Sequence, residues 1–179
     1  MGKIIITCFS LLFLVPQASA SKLNLDPYFA IGASALRAEI AGQQATEPSF
    51  VFIAGSALNW ISPNLAAEIR FGFGGQYTTF NGDISSYTSF LLKPRLNITR
   101  SLDIYGLAGV TTVSVNLASQ QNTATGTSYG AGVAYRIPNE SLSITGEWVN
   151  YHSSSDQSST SLSGMDITGV SINLVFEYY

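Results

Sequence analysis

Charge, cysteine and histidine are what this chain has little of. Asp, Glu, Lys and Arg together make up 11% of its 179 residues, against roughly 25% in an ordinary globular domain. So few ionised groups cannot cover a water-facing surface. The only cysteine is Cys8, which excludes the disulfides that usually support a small secreted domain with a modest core. The single histidine, His152, stands in a serine-rich stretch without further ligands at metal spacing, and the chain has no phosphate-cradling loop, so no cofactor is expected. The basic residues form no patch, and nucleic acid is excluded for want of an electrostatic footprint.

One apolar run, Ile4 to Val15, follows Lys3 and precedes Ala18-Ser19-Ala20. This is the arrangement of a secretory signal peptide with an A-x-A cleavage site, and the run is shorter than the roughly 20 residues of a spanning helix. Cleavage after Ala20 predicts a single mature domain over residues 21–179. Loss of Lys3 takes the formal charge from −3 to −4. Without disulfides, that domain must be held together by a closed hydrogen-bonded sheet or by a membrane around it.

What the chain does have is alternation. In Asn64 to Gly74, Leu65, Ala67, Ile69, Phe71 and Phe73 share one parity, while Ala66, Glu68, Arg70, Gly72 and Gly74 share the other. Successive side chains of a strand point to opposite faces, whereas a helix would scatter Glu68 and Arg70 among the apolar residues. The polar face holds small residues around its two charges, suiting a narrow interior, so the apolar face is expected to look outward into lipid.

The same pattern recurs over Tyr28–Arg37, Phe50–Ile61, Tyr87–Leu96, Leu102–Val115, Ser128–Ile137, Leu142–Tyr151 and Ile167–Tyr179. In Leu102–Val115, Gly106, Ala108 and Gly109 blur the parity and leave the register open. Pro94 cannot donate a ladder bond and is expected to mark a bulge or a strand end. Ser62–Asn64, Asn97–Ser101 and Pro138–Glu140 read as short turns. Ala38–Ser49, the stretch around Asn81-Gly82, Asn116–Thr127 and His152–Asp166 read as long polar loops. Eight strands of about ten residues, with short and long connections alternating, predict an all-β fold: an eight-stranded antiparallel up-and-down transmembrane β-barrel with tight periplasmic turns and larger outer loops.

Eight strands enclose a lumen only just wide enough to be filled by side chains. Glu68, Arg70, Lys93, Arg136 and Glu147, all on inward parity, are therefore expected to crowd into one ion-pair network; a narrow ion path is the alternative. Trp60, Tyr105, Tyr135, Trp148, Tyr178 and Phe50 fall near predicted strand ends, where amphipathic rings favour the headgroup level. The glycosylation sequons Asn97-Ile98-Thr99 and Asn139-Glu140-Ser141 fall in predicted turns and are read as chance.

With SALNWISPNLAAEIRFGFG, LLKPRLNITRSLDIYGLAG, YGAGVAYRIPNESLSITGEWVNY and GVSINLVFEYY in view, the chain resembles the small outer-membrane β-barrel proteins of Gram-negative bacteria, the OmpA/OmpX-like and opacity-type porin-domain families. The resemblance implies an outer-membrane location among membrane lipid and lipopolysaccharide, periplasmic chaperones and the barrel-assembly machinery as partners in biogenesis, and a monomer. That machinery reads a C-terminal strand ending in an aromatic; here the alternating set ends on Tyr178, with Tyr179 one residue beyond. The function expected is non-enzymatic: polar loops serving envelope integrity, adhesion or surface interaction. One enzymatic alternative comes from His152, Ser154 and Asp166, whose spacing resembles that of the lipid A deacylases, also eight-stranded barrels with a lipid-facing Ser nucleophile and His base. Ser154, however, belongs to a run of serines.

Overall fold

The computed structural model describes residues 25–40, 43–74, 76–77, 82–117, 120–153 and 165–177, and among these there are strands and turns but no helix. The strands are β1 (Leu25–Ile40), β2 (Gln43–Leu58), β3 (Leu65–Phe73), β4 (Gln76–Tyr77), β5 (Gly82–Asn97), β6 (Leu102–Leu117), β7 (Gln120–Arg136), β8 (Leu142–His152) and β9 (Met165–Glu177). Each pairs antiparallel with its neighbours; β9 returns to β1, and β3 closes the ring on β5. Since β3 and β4 both pair with β5, they are two pieces of one stave, and the barrel has eight. Closure leaves no long lipid-facing edge, the condition for a sheet in a medium that offers no hydrogen bonds.

The three short connections are tight. Ile61 and Ser62 donate to the Leu58 carbonyl at 2.8 and 2.9 Å, Ile98 and Thr99 donate to Leu102, and the Thr99 hydroxyl accepts from the Leu102 amide at 3.0 Å. Asn139 takes the left-handed conformation, φ 65°, one that Asn adopts more readily than most residues.

Two expected loops prove to be strand over their described residues. Of Ala38–Ser49, residues 38–40 belong to β1 and 43–49 to β2, with Arg37 opposite Thr46 and Glu39 opposite Gln44. Asn116–Thr127 is mostly β7, with Thr112 opposite Thr125 and Ser114 opposite Thr123. Several strands therefore run to about 16 residues rather than ten. At Pro94 the strand neither ends nor shifts register: β5 continues to Asn97, and only the pairing with β6 is interrupted, between Leu92↔Ala108 and Arg95↔Tyr105. The open register of β6 is resolved, with Asp103, Tyr105, Leu107, Thr111, Val113 and Val115 inward. The leader, Asn81, Ser154, Tyr178 and Tyr179 lie outside the described residues.

The staves divide into two zones along their length. From the tight turns up to Ala35, Phe50, Phe73, Phe90, Val110, Tyr129, Trp148 and Val170, the outward side chains are predominantly apolar. Beyond that level the outward positions are Arg37, Thr46, Ser86, Thr112, Ser114, Thr123, Thr125 and Thr168, while the inward ones become Leu36, Ala38, Ile84, Val113, Val115, Ala124, Met165 and Ile167, all buried.

Candidate functional site

The densest chemistry lies inside the lower zone. Glu68 and Arg70, two residues apart on β3, share a face, and both are buried; Arg70 has no exposed surface. The guanidinium of Arg70 donates from Nε to Glu68 Oε2 at 2.9 Å and from Nη1 to Glu147 Oε1, across the lumen on β8, at 2.6 Å. Lys93 Nζ on β5 reaches the other Glu68 oxygen at 2.8 Å. Two cations and two carboxylates thus form one neutral cluster spanning the barrel.

Polar side chains from other staves complete it. Tyr28 on β1 donates to Glu68 at 2.7 Å, and Tyr105 on β6 donates to Glu147 at 3.0 Å. On β9, Ser171 and Asn173 donate to Glu147 Oε1 at 3.0 and 3.1 Å. Each tyrosine lies flat over a glycine of the paired strand. A Cβ at Gly55 would come within 2.4 Å of the Tyr28 ring, and one at Gly132 within 2.5 Å of Tyr105. Only glycine permits this close approach, which lets the phenol cross to the centre. The ammonium of Lys93 also sits 4.2 Å from the centroid of the Tyr105 ring and 5.5 Å from that of Tyr28, cation–π range.

Below Lys93 the lumen opens toward the tight turns as a polar cavity of about 250 Å³, lined among others by Asp26, Arg95, Asp103, Arg136 and Glu177. Above the cluster come hydroxyls: Ser128 to Thr111 at 2.6 Å, Thr111 to Ser89 at 2.7 Å, and a Ser34–Ser49 bond. The rings of Tyr87 and Tyr151, 4.7 Å apart, lie beneath the apolar upper core.

Of the five residues expected in one network, the structure brings together Glu68, Arg70, Lys93 and Glu147. Arg136 is not among them. It points inward, but at the cavity mouth, where it pairs with Asp103 and stays about one-third exposed. Inward parity fixes a face, not a height, and Arg136 lies opposite Ser143, four residues below Glu147 along β8. Tyr105 is the second correction: expected at the lipid interface, it is buried, because the true parity of β6 sets it beside Asp103 and Leu107. Trp60, Tyr135, Trp148 and Phe50 are exposed on the outer surface. Tyr28 and Asp103 were not singled out by the sequence; the signal for Tyr28 is its pairing with Gly55, visible only once the register is known.

Of the deacylase-like set, Ser154 lies outside the described residues, and His152 and Asp166 are on opposite faces of the wall. His152 is buried inside the upper zone, opposite Ile167, whereas Asp166 is on the outward parity of β9, opposite Glu39. Among the described residues no group of three His, Cys, Asp or Glu side chains could hold a metal ion.

The sequence profile of the outer membrane protein β-barrel domain family matches residues 5–179. No curated protein sequence matches the chain. Among solved structures, the barrel is similar to Ail, the attachment invasion locus protein of Yersinia pestis, in its complex with the heparin analogue sucrose octasulfate: TM-score 0.61 at 16% identity, over 86% of this chain and 99% of that one. It is similar to Neisserial surface protein A, with TM-score 0.64 at 12% identity over 85% and 97%. The N-terminal barrel domain of Pseudomonas aeruginosa OprF gives TM-score 0.51 at 14% identity over 82% and 97%.

Proposed function

The chain belongs to the outer membrane protein β-barrel domain family, and from that premise we propose that it is a non-enzymatic barrel of the bacterial outer membrane with a closed lumen, whose polar outer end makes surface contacts in envelope integrity or adhesion. The observation that carries the closed lumen is Arg70, which bridges Glu68 and Glu147 from opposite walls. An ion passing this level would have to part a buried ion pair and then cross the apolar side chains around Leu36, Ile84, Val113 and Ile167. Single-channel recording in planar bilayers tests it: no stable conductance is expected, and reproducible steps would overturn the reading.

The surface role rests on the outer end itself, a band of Thr, Ser and Asn on extended strands. In the sequence from Arg37 to Glu47 and at Asp83, Asp156 and Asp166, one basic residue stands against five acidic ones. The similar Ail structure holds a sulfated heparin analogue; this charge balance suits neutral or cationic surfaces instead. Binding of intact cells with and without the protein to neutral, cationic and sulfated surfaces checks that preference. Delivery through a leader cut near Ala20, periplasmic chaperones, the barrel-assembly machinery and a setting among lipopolysaccharide and outer-membrane lipid complete the proposal. The opposed faces of His152 and Asp166 give no support to a lipid A hydrolase; fatty-acid release from lipid A vesicles, lost in Ser154→Ala, would reverse that judgement.

A further inference from the structure

We propose that the polar cavity at the turn end of the lumen is a binding site for a small zwitterion of dipeptide length, its carboxylate held by Lys93 and Arg95 and its ammonium by Asp26. The site rests on the cavity alone; that its ligand comes from the periplasm rests on the orientation proposed above.

The cations carry the argument. Lys93 and Arg95 are successive inward residues of β5, and both line the cavity. Neither has its donors filled. Of the three N–H groups of an ammonium, buried Lys93 gives one to Glu68 at 2.8 Å. What it otherwise meets are the ring faces of Tyr105 and Tyr28, weaker acceptors than an anion. The guanidinium of Arg95 reaches the Pro63 carbonyl from Nη2 at 3.4 Å, beyond the usual hydrogen-bond range. Among the described residues Arg95 belongs to no ion pair. The interior carboxylates are in the opposite condition. Glu68 accepts from Arg70, Lys93 and Tyr28, and Asp103 accepts from Arg136 on both oxygens. Donors are therefore in excess at the closed end. Water can meet them singly, but a carboxylate engages both cations at once through charge-assisted bonds roughly twice as strong as neutral ones.

The sign of the rim selects the other half of the ligand. Lys93 is balanced within the neutral cluster, which leaves Asp26, Asp103 and Glu177 against Arg95 and Arg136 on the cavity wall. Three carboxylates against two guanidinium groups give a formal charge of −1. Toward the mouth Asp26 is exposed and accepts from the neutral Asn59. A simple anion would deepen the negative surplus, and a simple cation would leave the donors of Lys93 and Arg95 unfilled. A zwitterion meets both. Asp26 stands two residues from Tyr28, whose ring lies beside Lys93, a rise of roughly 6.6 Å. Charges so far apart belong to a dipeptide or an ω-amino acid; in a single α-amino acid one carbon carries both groups. The cavity, about 250 Å³, falls just under the roughly 300 to 1,000 Å³ of pockets for drug-sized molecules, which suits so small an occupant.

Alanyl-alanine is the probe. The full-length protein, refolded in a non-ionic detergent and verified by its heat-modifiable gel mobility, is titrated with the dipeptide while backbone amide shifts are followed by NMR. Saturable shifts are expected at Tyr28 and Arg95. N-acetyl-alanyl-alanine, which lacks the ammonium, and alanyl-alanine amide, which lacks the carboxylate, should each bind about tenfold more weakly. Arg95→Gln should weaken the dipeptide by a similar factor, and Asp26→Asn should erase its advantage over the N-acetyl form. Arg100→Gln, in the exposed turn beyond β5, should change neither. Absence of a saturable shift would overturn the site. Equal binding of the N-acetyl form would reduce it to an anion site and equal binding of the amide to a cation site, and either result would overturn the zwitterion, while full affinity in Arg95→Gln would remove the ligand from this cavity. Labelling of Asn64→Cys by an impermeant thiol reagent on whole cells would overturn the periplasmic source and leave the site in place.

Discussion

At the level of Phe71 and at the level of Leu36 the same barrel obeys opposite rules. In the lower zone the outward face of β6 carries Ile104 and Val110 while its interior partners are Asp103 and Tyr105; in the upper zone Thr112 and Ser114 face out and Val113 and Val115 face in. Between β6 and β7 neither the pleat nor the pairing changes from one zone to the other, although β5 and β8 shift register in the upper zone, between Ile84 and Ser86 and between Asn150 and His152. On the membrane reading proposed above, what changes is the medium outside. Where lipid surrounds the wall, the polar groups retreat inward and must satisfy one another; where water surrounds it, the apolar residues retreat instead, and the strands become those of a soluble barrel. Alternation therefore reports which residues share a face, and the solvent decides which face is inside.

The largest effect should come from the ionic core of the lower zone. Arg70→Met removes the cation between Glu68 and Glu147 and should cost about 3 to 5 kcal/mol, the usual penalty for orphaning a buried charge. Urea unfolding of the refolded barrel measures it, and Arg70→Met combined with Glu147→Gln should recover part of the loss. A cost below about 1 kcal/mol, typical of exposed pairs, would mean that water enters at this level. The upper core should respond through packing alone. Leu36, fully buried, should lose about 3 kcal/mol on truncation to Ala, mid-range for a buried Leu. Leu36→Ala as harmless as a surface change would dissolve the distinction between the zones, since the tip would then be a solvated hairpin.

The lipid face of the lower zone comes next. Phe71→Arg should cost about 2 to 4 kcal/mol if Phe71 lies near the midplane, while Phe71→Leu should be mild. Folding into vesicles separates them, and equal stability would reverse the parity on which the whole assignment stands.

How much of this was legible in the sequence depended on whether side chains were there to mark parity. Glu68, Arg70 and Glu147 could be placed inside because each sits between apolar residues of opposite parity. Tyr105 could not, because Gly106, Ala108 and Gly109 leave too little to distinguish one face from the other. Ala38–Ser49 and Asn116–Thr127 read as loops because outward Thr, Gln and Asn have the composition of a loop, and the apolar set between them is made of small residues such as Ala38, Ala45 and Ala124. Arg136 shows a different limit: its inward face was evident, but its height depends on cross-strand register, and the pairing with Asp103 needed the folded sheet. A smaller effect follows from that correction. Glu68→Ala and Arg136→Met should add within about 0.5 kcal/mol, as independent sites do, and a measured coupling beyond that would put Arg136 back into the central cluster.

The smallest expected effect is the sharpest test of where the membrane ends. Thr123 shares outward parity with Tyr129 on the same strand, and in the sequence nothing but composition separates them. If the boundary lies just above Tyr129, Thr123→Arg places a charge in water. The Thr123 hydroxyl lies 3.4 Å from that of Ser114, a long contact. The change should then stay within about 0.5 kcal/mol, as surface substitutions do. If lipid extends over the upper zone instead, the same arginine should cost up to about 2 to 4 kcal/mol at midplane depth, falling toward 0 to 1 near the interface. Measured beside Phe71→Arg in bilayers of two thicknesses, Thr123→Arg should remain neutral in both, whereas a penalty that grows with thickness would show that the threonine band is itself covered by the membrane and that the apolar upper core has some origin other than water outside it.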